Sequence, residues 1–231
     1  MDNIKKEMEE LRITLEETTP ENGNCSKDLK TDPLKAIVNN LPKRFDNCGL
    51  KTFVQTETNK ANYDYAMSYI RGKLDRYSAV FFGGCGLGKT HLAIAIGKNL
   101  RPVTREIYSG DIWEKPKWVS SCAKTNFINA DEFFVRCNEV TFNKESKITY
   151  VKELLRWELL ILDDLSLANM TDAKNENLYL LINTAYLDCR NIIITTNATL
   201  AQLKNYDIRI FSRLAEMCHF QEFTGQDWRL K

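Results

Sequence analysis

Apolar residues return every three or four positions at the start of the chain. Ile4, Met8, Leu11 and Leu15 stand among acids and bases and predict a helix over residues 2–17. The next stretch, TTPENGNCSKDLKTDP, carries proline, glycine and asparagine and little that is apolar, so residues 18–33 read as a linker. From Leu41 the texture changes. LPKRFDNCGLKTF is an irregular lead-in, and residues 59–74 place Ala61, Tyr65, Tyr69 and Met67 on the inner side of a predicted helix. SAVFFG (78–83) is apolar at both parities, the pattern of a strand buried on both faces of a parallel sheet. A helix rich in Ala and Ile is predicted from Lys89 to Leu100. NFINADEFF (126–134) predicts a strand passing into a helix, and ELLILDDL (158–165) a buried strand ending in two acids. Residues 175–187 predict a helix, and NIIITTN (191–197) a β-branched strand that stops at Asn197. A helix over 207–216 and a last strand, CHFQEF (218–223), complete the series. Strands alternating with helices at these spacings predict a three-layer α/β fold around a parallel sheet.

With 231 residues, the chain suits one domain (34–231) with a small N-terminal element (1–33). It is 43% apolar and 27% charged, with a net charge of +1, so a normal core is expected and no global charge demands nucleic acid or a membrane. The cysteines include no C-x-x-C pair and the histidines are His91 and His219, which argues against structural zinc. The irregular cysteine spacing suits free thiols in a reducing compartment. The charged N-terminus resembles no secretory signal, and no apolar run reaches spanning length. A cytoplasmic protein without a membrane anchor is expected.

Chemistry concentrates in GGCGLGKTH, residues Gly83, Gly84, Cys85, Gly86, Leu87, Gly88, Lys89, Thr90 and His91. Gly83 and Gly88-Lys89-Thr90 fit G-x-x-x-x-G-K-[ST], the Walker A pattern. Glycines let the backbone curl with its N–H groups around phosphate oxygens, and the following helix aims its positive end at the same anion. Lys89 is expected on the β- and γ-phosphates of ATP and Thr90 on Mg²⁺. LLILDDL sets Asp163 and Asp164 at the end of a buried strand, the Walker B arrangement. Asp163 is expected to hold Mg²⁺, and Asp164 to orient or deprotonate the attacking water. Asn197 offers an amide to that water. Arg209 and Arg213 are four residues apart on one predicted helix face.

In this order and spacing, GGCGLGKTHLA, NADEFF, LLILDDLS, IIITTN and DIRIFSRLAEM resemble the AAA+ ATPases over about residues 40–231. More narrowly they are similar to bacterial replicative helicase loaders of the DnaC type and to transposition helper ATPases of the IstB type. The resemblance implies a P-loop NTPase fold with a reduced or absent C-terminal lid, ATP and Mg²⁺ as cofactors, and ATP hydrolysis. It implies a sensor role for Asn197 and an arginine finger at Arg213 that reaches the next subunit's ATP, with Arg209 as second choice. It also implies a homo-oligomer, a hexameric replicative DNA helicase as partner, and single-stranded DNA. Arg229, in GQDWR, matches a recurrent arginine to which the resemblance assigns no role.

The chain departs from the pattern in places. Asp164 stands where AAA+ proteins more often have Glu, which implies slow hydrolysis, and Ala185-Tyr186 replaces a frequent Arg-Tyr. The helix over 2–17 is expected either to dock on a helicase subunit or to be a solvated terminal helix. Segment 101–124, with Trp113, Trp118, Lys115, Lys117 and Lys124, is expected to tuck against the domain or to grip single-stranded DNA. Three alternatives to a loader stand: a transposition helper that coats duplex DNA, a nucleotide-switched binding module with negligible turnover, and a small-molecule kinase.

Overall fold

The strand expected at 78–83 lies in the interior of the sheet. In the computed structural model, which describes residues 35–107 and 117–230, it is flanked by strands on both sides. The strands are β1 (Ile37–Asn39), β2 (Ser78–Gly83), β3 (Val103–Ile107), β4 (Lys117–Ser121), β5 (Lys124–Asn129), β6 (Leu159–Leu165), β7 (Ile192–Thr196) and β8 (Cys218–Phe223). The helices are α1 (Lys60–Ile70), α2 (Lys89–Lys98), α3 (Ala130–Phe142), α4 (Lys147–Leu154), α5 (Asp172–Leu187), α6 (Leu200–Tyr206) and α7 (Ile208–Met217). The chain divides into units Met1–Pro33 and Leu34–Lys231. The first, with the expected helix and linker, lies outside the described residues, as do Trp113, Lys115 and the side chains of Lys117 and Trp118.

The main sheet has six strands in the order β1-β5-β6-β7-β2-β8, and every pairing in it is parallel. Alternation along the strands sorts the core. Val80, Phe82, Leu160, Leu162, Ile192 and Ile194 pack on one face with Phe133, Leu178, Leu181 and Leu214 from α3, α5 and α7. On the other face Phe81 meets the Tyr65 ring edge-on at 6.0 Å, and α1 and α2 cover it with buried Leu92 and Ile96. Each such side chain stabilises the fold by about 1.5–3 kcal/mol. The three-layer reading therefore holds.

The boundaries and several elements differ from the expected ones. β1, three residues long, is too short to show a period. Segment 101–124 holds an antiparallel β3–β4 hairpin, which the prolines at 102 and 116 conceal. α4 and α6 are short helices announced mainly by their caps. Ser146 accepts from the Thr149 N–H, and Thr199 with Gln202 forms a capping box. α5 begins three residues before Asn175, because Thr171 caps a polar first turn. After β7 come α6, α7 and β8, and no separate helical bundle follows among the described residues.

Candidate functional site

The sheet order explains the site. β7 lies between β2 and β6, so the residue that ends it stands between the Gly83 loop and the acids of β6. This is the carboxyl end of a parallel sheet at a point where the chain leaves in opposite directions, the usual place for a ligand crevice.

The loop after β2 curls as expected. Gly88 has φ +89° and starts α2, and no side chain caps that helix. The amides of its first turn are left for a ligand. Lys89 is only 7% exposed. Its Nζ donates to Gly83 O at 2.8 Å, to Gly84 O, and to Asn197 Oδ1 at 2.8 Å. All three acceptors are neutral, and no ion pair reaches Lys89 among the described residues. Burial pushes its ammonium below the ordinary lysine range, against the pull of the Asp164 and Asp163 carboxylates. A buried cation whose hydrogen bonds go only to neutral groups is better stabilised when an anion joins it.

The acids take different roles because β6 bulges. Leu162 pairs with Ile194 but Leu165 pairs with Thr196, so Asp163 and Asp164 share the space opposite Thr195. Asp163 turns inward and is 5% exposed. It accepts from Thr90 Oγ1 and from Thr195 Oγ1, both at 2.7 Å. Burial raises its pKa, against the pull of those hydroxyls and of Lys89. Asp164 turns outward with φ +56°, a strained conformation for a residue with a Cβ, held by its N–H to Thr195 Oγ1 at 2.8 Å. Asn197 Nδ2 donates to Asp164 Oδ1 at 3.2 Å, so one amide links Lys89 to Asp164. A cleft of about 570 Å³ opens beside Asn197, lined in part by Ser166, Gln202, Asn205 and Tyr206.

The residues fit a magnesium-bound nucleoside triphosphate. The uncapped helix start and Lys89, bonded only to neutral oxygens, suit its phosphates, and the Thr90–Asp163 pair offers oxygen donors to the metal. Gly84 and Cys85 are exposed at the loop, and Leu87 is buried beneath it. His91 points elsewhere. Its Nε2 lies 2.9 Å from Gly49 O and 3.2 Å from Thr52 Oγ1, and its ring meets Phe53 edge-on at 5.4 Å. It ties the lead-in to α2 rather than facing the loop's interior.

Arg209 and Arg213 lie apart from this cluster. Arg213 donates to Asn183 Oδ1 at 2.8 Å, to Arg209 O at 2.8 Å and to the Tyr179 hydroxyl at 3.2 Å, and it stands over the Tyr179 and Tyr186 rings. Arg209 pairs with Asp207 at 2.9 Å and Glu176 at 3.3 Å. Neither has a hydrogen-bond partner at the phosphate loop. Sequence reasoning missed Thr195, although its motif TTN was in view, and it missed Tyr179 and Asn183. The signal for Thr195 was a polar side chain at an inward parity of a buried strand.

The sheet order and the curled loop after β2 make an AAA+ P-loop NTPase-like fold. The motif resemblance holds: a family profile described as IstB-like ATP binding protein matches residues 119–231. The chromosomal replication initiator protein DnaA of Borreliella afzelii (strain PKo) is 25% identical over 201 residues, covering 80% of this chain and 38% of that relative's length. The crystal structure of the DnaC helicase loader matches with a TM-score of 0.61 and 21% identity, over 79% of this chain and 100% of that one. A replication initiator DnaA bound to AMPPCP and single-stranded DNA matches with a TM-score of 0.59 and 20% identity, over 78% of this chain and 51% of that one. No helix among the described residues is long and apolar enough to cross a membrane.

Proposed function

We propose that this protein is a Mg²⁺-dependent ATPase that loads a replicative helicase onto single-stranded DNA. The observation that carries the ATPase reading is the buried Lys89, whose hydrogen-bond acceptors are all neutral oxygens and which is joined through Asn197 to Asp164. ATP with Mg²⁺ supplies the scissile phosphoanhydride. Lys89 binds the phosphate chain and gives up its carbonyl partners. Thr90 and Asp163 would hold the metal, Asp163 as the ionised carboxylate. Asp164 accepts the proton of the attacking water, which the Asn197 amide orients, as the water oxygen bonds to the γ-phosphorus and the bond to the bridging oxygen breaks, releasing ADP and phosphate. Arg213 completes the site of a neighbouring subunit, so turnover requires assembly. The loader role is supported by the likeness in fold to the DnaC helicase loader and by the DnaA relatives. Residues 1–33 are the proposed helicase-docking element on a domain that begins at 34.

The test is a pull-down of a replicative helicase with and without ATP, repeated with Lys89→Ala. ATP-dependent capture that the substitution abolishes is the expected result. No capture with ATP present, or unchanged ATP affinity in Lys89→Ala, overturns the reading. The match to the IstB-like profile favours a second reading, a helper that coats duplex DNA. An ATP-dependent filament on duplex DNA, without helicase capture, selects it.

A further inference from the structure

We infer that the segment Gly225–Leu230 is a strap that sets the phosphate loop for anion binding, with the Trp228 backbone amide and Asp227 as positioning groups. The inference rests on the nucleotide-binding reading above and goes beyond the motifs that suggested it.

The sheet delivers the strap to the loop. Phe223, the last residue of β8, is in register with Gly83, where the loop begins. Gly225, at φ +125°, then turns the chain with Thr58 close behind it. The Trp228 N–H donates to Gly86 O at 3.1 Å. No peptide among the described residues is cis. In a trans peptide the carbonyl and the next N–H point in opposite directions. Holding Gly86 O against the strap therefore turns the Leu87 N–H the other way. The Lys89 side chain crosses the inside of the curl, because its Nζ reaches back to Gly83 O and Gly84 O. The Leu87 N–H therefore points away from the strap, to the side on which a phosphate oxygen would sit.

Asp227 explains how the strap holds this geometry. A carboxylate beside an anion site works against binding unless it does something else. Its Oδ1 accepts the Arg229 N–H at 2.8 Å, forming the turn that presents the amide between them, that of Trp228. The carboxylate also fills the space where a Cβ on Gly86 would stand, and Gly86 has φ +65°. A side chain at 86 would collide with the strap, so glycine there serves this contact as well as the loop's curl.

The test uses the full chain and two probes, a fluorescent ATP analogue and inorganic pyrophosphate as competitor. Trp228→Pro removes the N–H at the first position of a helical turn, where proline's φ is tolerated. Trp228→Ala keeps it. Trp228→Pro is expected to weaken both probes about tenfold, the equivalent of one hydrogen bond at ~1.4 kcal/mol. Trp228→Ala is expected to stay within about threefold of wild type. Should Trp228→Pro fail to fold, Asp227→Leu against Asp227→Asn decides. The leucine loses the turn and is expected to weaken both probes, while the asparagine keeps an acceptor and restores binding. Wild-type pyrophosphate affinity in a folded Trp228→Pro or Asp227→Leu overturns the inference. So does weakening that touches the ATP analogue alone. A wild-type chain that binds neither probe overturns the nucleotide reading itself, and the inference with it.

Discussion

The phosphate end of the sheet and the α5–α7 face both present cations, in opposite states. Lys89 is buried and hydrogen-bonds only to neutral oxygens. Arg209 stands at the surface with two carboxylates, and Arg213 rests on two tyrosine rings and an asparagine. A buried cation that bonds only to neutral groups suits an incoming anion. A partly exposed one, racked on rings and an asparagine, is held in a defined direction. On the function proposed above, the difference separates a phosphate pocket held within one chain from an arginine offered to a neighbouring subunit.

The largest effect breaks that comparison directly. Arg213→Ala is expected to lower ATP turnover about 10³-fold while leaving nucleotide affinity unchanged. Lys89→Ala is expected to lose nucleotide binding. Mixed, the two inactive proteins should recover activity, because the intact Arg213 of one protomer meets the intact loop of the other. Turnover assayed across mixing ratios checks this. Full activity of Arg213→Ala alone would remove the trans assignment.

Asp163→Asn separates function from stability. The Asp163 carboxyl holds its proton more tightly when folded than when unfolded, because it is buried. Its contribution therefore favours the fold at acid pH and is lost as pH rises through the raised value. At neutral pH the ionised form opposes folding. The asparagine keeps an acceptor for Thr90 and Thr195 but no charge for the metal. Mg²⁺-dependent turnover is expected to fall about 100-fold, and the thermal midpoint at pH 7 to hold or rise. A lower midpoint would show that the carboxylate serves packing. Asn183→Ala acts more gently. Without the Asn183 Oδ1 contact, Arg213 loses one of its three hydrogen bonds, and turnover is expected to fall about tenfold at unchanged ATP affinity.

The two regions also differ in how far the sequence reveals them. β2, β6 and β7 are apolar at both parities, and their ends carry glycines, acids and an amide, so the strands and the cluster at their ends are readable together. The bulge that parts Asp163 from Asp164 is not readable, because it depends on register with β7. His91 looks like part of the loop motif yet turns to Gly49, a contact 42 positions away that no local pattern encodes. The rack under Arg213 joins α5 to α7 across about thirty positions, and Tyr179 and Asn183 look like ordinary helix-surface residues. The strap contact, Trp228 to Gly86, is longer-range still.

The smallest effect sharpens the comparison through pH. Asp207 caps α7, accepting from the backbone of Arg209 and Ile210, and its other oxygen takes bonds from Asn175 and Arg209. The Arg209 guanidinium, first among these donors, holds the Asp207 carboxyl well below the usual carboxylate range. A lowered pKa stabilises the fold above the ordinary value of about 4, and the contribution is lost as pH falls below it. Asp207→Ala is expected to destabilise the protein by about 1 kcal/mol at pH 7, the size of a helix cap. Unfolding curves at pH 7 and pH 3 check this, and the gap between variant and wild type should narrow in acid. Asp163 carries the opposite sign, because burial raises its pKa where hydrogen bonds lower that of Asp207. Acid therefore loosens the face that carries the arginines while easing the strain at the phosphate end. A gap that stays constant between the two pH values would mean that the cap works through its shape alone and that the charge on Asp207 does nothing for α7.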